Sequence, residues 1–262
     1  MVKINEYKLH KYFAKTLFLG KKVEYLTQCH STNDLMASHI RNGSNIEGDI
    51  IVSGFQSGGK GQRGNVWVSE PDKNLLFSLN LRPTFLEINK VYLINVMIGV
   101  AILQTLNKFI PNNKIEIKWP NDIYVNDSKI AGVLVETFLG KGVIDNVIVG
   151  IGLNVNQTYF PLSTATSMLK EANKTTWDLS IVLEDLLLSV EAEYIKLKSG
   201  DTKSLLYKYQ QALRWRGEIH QYQVKGENID GEIIGINDKG RLVVKHNNRL
   251  ASYDLKEIRF MI

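Results

Sequence analysis

The sequence predicts an α+β protein, with a mixed β-sheet domain flanked by helices and a small β-barrel at the C-terminus. Strand-like and helix-like segments follow one another up to about residue 213. From Ile219 onward the pattern changes to short strand-like segments that turn residues separate. The change falls near Arg214–Gly217, so we expect one domain over residues 1–214 and a second over residues 215–262.

The predicted strands are short runs rich in apolar and β-branched residues. In the larger domain they are Lys22–Gln28, Asp49–Phe55, Asn74–Arg82 (alternating between faces), Lys114–Lys118, Ile123–Val125, Ile130–Phe138 and Val143–Leu153. Asn126-Asp127-Ser128-Lys129 forms a hairpin turn between two of them. In the smaller domain they are Ile219–Lys225, Gly231–Asn237, Leu242–His246 and Leu250–Leu255. This density of short strands is typical of a small barrel.

The predicted helices have apolar residues at spacings of three and four. The first begins at Ser31-Thr32-Asn33-Asp34, whose short polar side chains can cap it, and stops at Asn42-Gly43. The others are Glu87–Ile110, Ser167–Ala172, Asp178–Lys198 and a helix at about Thr202–Leu213. Gln56–Lys73, rich in glycine and charge, is predicted to be a loop.

The composition excludes several classes of protein. Hydrophobic residues make up 44% and charged residues 23%, as in ordinary soluble proteins. The longest apolar run, Val96–Leu103, is shorter than the ~20 residues of a membrane span, and we recognise no secretory signal. One cysteine, Cys29, excludes an internal disulfide and fits a reducing, cytoplasmic compartment. The five histidines lack metal-ligand spacing, and the net charge of +5 indicates an anionic partner.

The glycine-rich stretch Gln56–Gly64 is the most informative segment. Its four glycines allow the backbone amides to approach a ligand, and Lys60 and Arg63 add positive charge. It suits a carboxylate or a phosphate, although it lacks the Gly-Lys-Ser/Thr of a P-loop. Taken alone, a mobile surface loop explains it equally well.

Other segments each allow a functional and a structural interpretation. Ser31-Thr32-Asn33 could hydrogen-bond a compact polar ring or simply cap a helix. In Lys118-Trp119-Pro120-Asn121-Asp122, Asp122 could orient an amine or help to hold magnesium, or the segment could be a plain turn. The glycines of Gly150-Ile151-Gly152 could admit a flat ligand or mark a bulge. Trp67 could pack in the core or stack on a base.

Taken in order, these segments resemble the biotin protein ligases, also called biotin–acetyl-CoA-carboxylase ligases. The resemblance is strong over residues 23–160, and the segments that carry it are Ser31–Asn33, Gln56–Trp67, Lys118–Asp122, Lys129–Glu136 and Gly150–Asn154. It implies an SH3-like C-terminal barrel. It also implies an enzyme that uses ATP to convert biotin into biotinyl-5'-AMP. The biotin is then transferred to a lysine of a biotin carboxyl carrier protein, in acetyl-CoA carboxylase or a similar biotin-dependent enzyme.

The resemblance also implies roles for individual residues. The biotin-binding residues would be Ser31, Thr32, Asn33, Gln56, Lys60, Gly61, Gln62 and Lys129. The nucleotide-binding residues would be Lys60, Arg63, Trp67, Asn121, Gly152 and Asn154. The catalytic residues would be Lys129, Asp122 and Arg63, with Asp122 also a ligand of magnesium. Gly59-Lys60-Gly61-Gln62-Arg63-Gly64 departs from the family's common Gly-Arg-Gly-Arg-Arg-Gly, which makes Arg63 our candidate for the phosphates.

Some family members begin with a DNA-binding helix-turn-helix domain. Only about twenty residues precede the first predicted strand, too few for such a domain. We therefore expect a monofunctional ligase without nucleic-acid or membrane partners, which could form a homodimer.

Three rival functions remain. One is a lipoate or octanoate ligase or transferase of the same superfamily, although Ser31-Thr32-Asn33 and Gln56 favour a ureido ring over a plain acyl chain. The second is a non-catalytic protein that binds biotin or a nucleotide. The third is a small RNA-binding protein that uses the barrel, but the barrel lacks clustered aromatic residues with basic neighbours.

Overall fold

The computed structural model describes residues 15–161, 164–172 and 176–261. A seven-stranded mixed sheet organises the larger part of the chain. Its strands are β1 (Val23–Leu26), β2 (Ile50–Ser53), β3 (Leu75–Leu81), β4 (Ile115–Lys118), β5 (Asp122–Val125), β6 (Ser128–Gly140) and β7 (Val143–Leu153). They lie in the order β1-β2-β3-β7-β6-β5-β4. β1 and β2 are parallel, and all other neighbours are antiparallel.

The predicted helices are confirmed, with changes at their ends. They are α1 (Thr32–Arg41), α2 (Tyr92–Phe109), α3 (Met168–Ala172), α4 (Leu179–Lys198) and α5 (Thr202–Gln211). Ser31 is the N-cap of α1, and its side chain accepts a hydrogen bond from the Asp34 amide, as the sequence predicted. α2 begins later than the predicted Glu87 because Ile88–Lys90 forms a separate 3-10 turn.

The two faces of this sheet are covered by different helices. Ile148 of β7 packs with Met36 of α1, whereas Val149 and Ile151 point to the opposite face and join the core that contains α2 and α4. By length and composition alone, Ile88–Phe109 could cross a membrane. Here α2 is instead a core helix, and most of its residues are buried.

β3 bears out the predicted alternation between faces. All seven of its residues are nevertheless buried. Leu75, Phe77 and Leu79 point into the main core, while Ser78 points to the other face and contacts α1. Both faces of β3 are therefore covered, so alternation of direction does not produce alternation of exposure.

The C-terminal part forms a separate five-stranded antiparallel sheet. Its strands are β8 (Ile219–Val224), β9 (Glu227–Ile236), β10 (Leu242–His246), β11 (Arg249–Tyr253) and β12 (Ile258–Phe260), in the order β11-β10-β9-β8-β12. β9 starts earlier than predicted because Lys225 and Gly226, both with positive φ, make a tight turn. β12 was not predicted. Within the described ranges no backbone pairing joins β11 to β12, so the sheet does not close into the expected barrel.

Buried Arg214 fixes the junction between the two sheets. Its guanidinium lies 2.8 Å from a carboxylate oxygen of Glu116 and 2.8 Å from one of Asp127, with its side chain only 3% exposed. The backbone of Ile117 hydrogen-bonds Ala212 and Arg214, which extends the sheet beyond β4. The hydrophobic core also continues into the smaller sheet. The division at residues 214 and 215 stays a prediction.

Replacing Arg214 with Met should lower the free energy of unfolding by about 3 kcal/mol, because Glu116 would lose its buried partner. Urea unfolding of the full chain measures the loss. Arg249→Met is the matched control: Arg249 is exposed, so the expected change is within about 0.5 kcal/mol. Equal losses in the two variants would contradict this role of Arg214.

Glu193 joins three helices through its carboxylate. This side chain of α4 accepts hydrogen bonds from Lys208 of α5 at 2.9 Å, Gln104 of α2 at 2.9 Å and Lys196 at 3.0 Å. Burial by itself would raise the pKa of Glu193, but these three hydrogen bonds outweigh it, so the pKa lies below its ordinary value. The folded protein therefore holds this carboxylate in its charged form.

A lowered pKa gives a pH dependence with a definite sign. The contribution of Glu193 is complete above the unfolded-state pKa of about 4.3 and is lost as the pH falls through the folded-state pKa. Glu193→Gln should therefore be less stable than the parent at pH 7, and the difference should shrink in acid. Urea unfolding from pH 7 to pH 3 measures it, with exposed Glu227→Gln as the control. A difference that is independent of pH would contradict this assignment.

Candidate active site

A cavity of about 520 Å³ opens on the face of the large sheet that carries α1. Every predicted site residue whose side chain the structure describes lines this cavity, except Asn154. The lining residues from the predicted set are Ser31, Thr32, Asn33, Gln56, Lys60, Gly61, Gln62, Trp67, Asn121, Asp122, Lys129 and Gly152. Segments that are distant in the chain therefore meet at one site.

Three glycines of β6 and β7 leave this face of the sheet without side chains. Gly132 pairs with Gly152, and Gly150 precedes it on the same face. A Cβ atom at Gly152 would lie 2.5 Å from the Trp67 ring, and one at Gly150 would lie 2.2 Å from Oδ1 of Asn33. Close approach is therefore the reason for these glycines. The alternative of a bulge is wrong here, because the β3–β7 pairing runs without a register shift.

Trp67 lies over this glycine surface. Its ring covers Gly152 and Gly132, and the Lys129 Nζ atom lies 5.7 Å from the ring centroid. The ring borders the cavity and is only partly buried. Packing against the sheet is therefore compatible with contact to a ligand, and stacking on a nucleotide base stays a prediction.

Lys129 and Asp122 form the charged part of the site. The Lys129 Nζ atom lies 2.6 Å from Oδ1 of Asp122, and the Lys118 Nζ atom lies 4.0 Å from Oδ2. Lys129 lies at the start of β6, just beyond the turn at Asn126-Asp127, so it is a strand residue and not a turn residue. Burial, with a smaller effect from the Asp122 charge, raises the pKa of neighbouring Tyr124 to about 12. Tyr124 is therefore a neutral hydroxyl at physiological pH.

The surroundings of Asp122 do not fit a metal ion that the protein itself would hold. Two lysine ammonium groups already face its carboxylate. Within residues 15–161, 164–172 and 176–261, no group of three His, Cys, Asp or Glu side chains is placed to bind a metal. The geometry instead supports a role in orienting Lys129.

A hydrogen bond and an ion pair hold the glycine-rich loop against α1. Oε1 of Gln56 accepts a hydrogen bond from the Thr32 amide at 2.7 Å, and the Lys60 Nζ atom lies 2.5 Å from Oδ1 of Asp34. The Gly61 amide donates to the Asn65 carbonyl at 2.7 Å, so it serves the loop itself. Lys60 and Gln62 remain at the cavity wall, where a ligand can meet them.

Asn121 and Asn154, both predicted to bind the nucleotide, make hydrogen bonds that hold the protein backbone. The Asn121 side chain donates to the carbonyl of Val133, which fixes the corner before β5. Asn154 is buried outside the cavity lining and donates to the carbonyl of Thr166 at 3.0 Å. Its position gives no support to direct contact with a nucleotide. The side chain of Arg63 lies outside the described part of the structure, so its phosphate-binding role stays a prediction.

The C-terminal sheet contributes to the cavity in a way that the sequence did not reveal. Leu255, Ile258, Arg259 and Phe260 line it, although more than a hundred residues separate them from Gly152. The Lys118 Nζ atom lies 5.3 Å from the centroid of the Phe260 ring, which joins the two sheets across the cavity. No local pattern marks β12 as part of a site. Lys118, by contrast, lies within a segment that the sequence had already singled out.

Comparisons with known proteins agree with this geometry. The model of the biotin/lipoate A/B protein ligase family matches residues 25–154. The chain is 29% identical to the bifunctional ligase/repressor of Bacillus subtilis, over 90% of this chain and 73% of the relative. It is 22% identical to the biotin–acetyl-CoA-carboxylase ligase of Mycobacterium tuberculosis, over 87% and 85% respectively. The biotin protein ligase of Aquifex aeolicus in complex with biotin and ATP superposes with a TM-score of 0.77. That likeness has 26% identity and covers 92% of this chain and 99% of that one.

Proposed function

Because the chain belongs to the biotin/lipoate A/B protein ligase family, we propose that it activates biotin with ATP and transfers it to a carrier protein. One observation carries the proposal. The cavity has a polar wall at Thr32, Asn33 and Gln56, the Trp67 ring lying over the glycine surface, and the Lys129–Asp122 pair beside that ring. This order fits an acid with a polar ring, an apolar chain and a carboxylate.

The first step joins two anions, so the site must supply positive charge. The carboxylate of biotin attacks the α-phosphorus of ATP, and pyrophosphate leaves. The ammonium group of Lys129 stabilises the charge that builds on the reacting oxygens, and Asp122 keeps that group in position at 2.6 Å. Trp67 and the loop reduce the access of water to the mixed anhydride.

The second step needs no nucleophile from the protein. The neutral amine of the carrier lysine attacks the acyl carbon, the new amide forms, and AMP leaves. Asp122, which is 20% exposed at the side chain, is accessible enough to orient that amine. The site thus needs to supply positioning and charge, which its residues provide.

Magnesium and the protein partner complete the proposal. Magnesium commonly binds through substrate phosphates, so we assign it to the nucleotide and not to a site that Asp122 would build. The acceptor is a biotin carboxyl carrier protein of acetyl-CoA carboxylase or a similar enzyme. The net charge of +5 suits both ATP and an acidic carrier domain.

The direct test mixes the purified chain with ATP, magnesium and a biotin carrier domain, and offers biotin, lipoate or octanoate in parallel. Mass spectrometry of the carrier should show a mass gain on its lysine with biotin. A gain with lipoate or octanoate in its place would assign the chain to the other branch of the family. No gain with any of the acids would contradict the proposed activity.

Lys129→Ala should lower the rate of biotinyl-adenylate formation by about 10²- to 10³-fold, because the stabilising charge acts mainly in the transition state. The measurement is pyrophosphate release without carrier protein. Lys245→Ala, an exposed lysine of β10, is the control and should react like the parent. A normal rate in Lys129→Ala would remove this residue from the mechanism.

A further inference from the structure

The side chain of Asn33 spans the gap that Gly150 leaves on β7. On one side its Nδ2 donates to Oε2 of Glu136 on β6 at 2.7 Å. On the other side its Oδ1 lies 2.5 Å from the hydroxyl of Ser78 on β3. The charge of Glu136 fixes the direction of the amide, because a flipped amide would place the carbonyl of Asn33 against a carboxylate.

The Ser78 hydroxyl continues this chain to Thr32. Ser78 is fully buried, and its Oγ also lies 2.7 Å from Oγ1 of Thr32. Ser78 has one proton for two neighbours. Oδ1 of Asn33 can only accept, so the Ser78 proton goes to Asn33 and Ser78 accepts the proton of Thr32.

The Thr32 hydroxyl is then committed as a donor. Its oxygen lies closer to Ser78, at 2.7 Å, than to Oε1 of Gln56, at 3.2 Å. That Gln56 oxygen already accepts from the Thr32 amide at 2.7 Å. With its proton directed at Ser78, the Thr32 hydroxyl offers the cavity lone pairs, so it can only accept from a ligand.

We propose that Glu136 and Ser78 direct this hydrogen-bond relay, so that Thr32 selects a head group carrying an N–H donor. Both act as positioning residues, because neither belongs to the described cavity lining. The inference rests on the proposed function and extends it to substrate choice. The cyclic urea of biotin has ring N–H groups, whereas octanoate and the dithiolane ring of lipoate have none. Because the relay leaves the Thr32 hydroxyl as a hydrogen-bond acceptor, the cavity favours the cyclic urea, which can donate to it.

A thermodynamic cycle that combines substitutions in the protein with methylation of the ligand tests the relay. The full chain, Ser78→Ala and Glu136→Gln are titrated calorimetrically with biotin and with two analogues, each methylated at one of the ring nitrogens. Both variants should bind biotin roughly tenfold more weakly than the parent. For the analogue that lacks the relevant N–H, the variants should lose little further affinity, so the two changes are not additive. Any steric cost of the methyl group cancels in the cycle.

Two controls separate a positioning role from general damage. Thr137→Ala changes an exposed neighbour on β6 and should bind biotin like the parent. The KM for ATP at saturating biotin should stay unchanged in Ser78→Ala and Glu136→Gln. Glu136→Gln keeps the size of the side chain, so it tests the relay even where Ser78→Ala disturbs packing.

The outcomes are distinguishable. Additive effects for both methylated analogues, or equal losses for biotin and ATP, would overturn the relay while leaving the proposed function in place. A parent chain that fails to bind biotin would overturn the proposed function and the relay together. A non-additive loss for one analogue, with the KM for ATP unchanged, is the result that the relay requires.

Discussion

The site depends on a stretch of sheet that has no side chains. Gly132, Gly150 and Gly152 lie on one face of two paired strands, and any Cβ atom there would meet the side chain that covers it. Asn33 covers Gly150 and Trp67 covers Gly152, so a polar group and an aromatic ring can both lie against the backbone. Regular pairing with β3 keeps this floor rigid. A rigid floor is what holds reacting groups in place without further ordering cost.

The side chains that cover these glycines also make the two ends of the cavity chemically different. Along β7 the cover changes from Asn33 to the Trp67 ring, and Lys129 lies next to Gly132 on the neighbouring strand. We therefore propose that the polar ring of an acid and its carboxylate are recognised at different points. The C-terminal sheet closes another side through Phe260, and its position depends on the Arg214 junction. Stability at that junction and the shape of the cavity are therefore linked.

Much of this was accessible from the sequence, since the signals were local. Capping at Ser31 and the close approach at the glycines of β7 each depend on neighbouring residues, and the structure bears out those features. The hairpin turn lies where it was predicted but is shorter, because Ser128 and Lys129 belong to β6. Contacts between residues that are far apart in the sequence could not be predicted in the same way. The hydroxyl of Ser78 behind α1 and the contribution of β12 to the cavity both join segments that are distant in the chain. The complete burial of β3 was not accessible either, because burial depends on what covers each face, which the alternation of its residues cannot reveal.

A crystal structure of this chain with biotin and ATP is the most direct test of the account. It should show the urea ring of the acid at Thr32, Asn33 and Gln56, its chain beside the Trp67 ring, and the acyl phosphate within hydrogen-bond distance of the Lys129 Nζ atom. An acid bound in the opposite direction, or a reacting carboxylate remote from Lys129, would contradict the account.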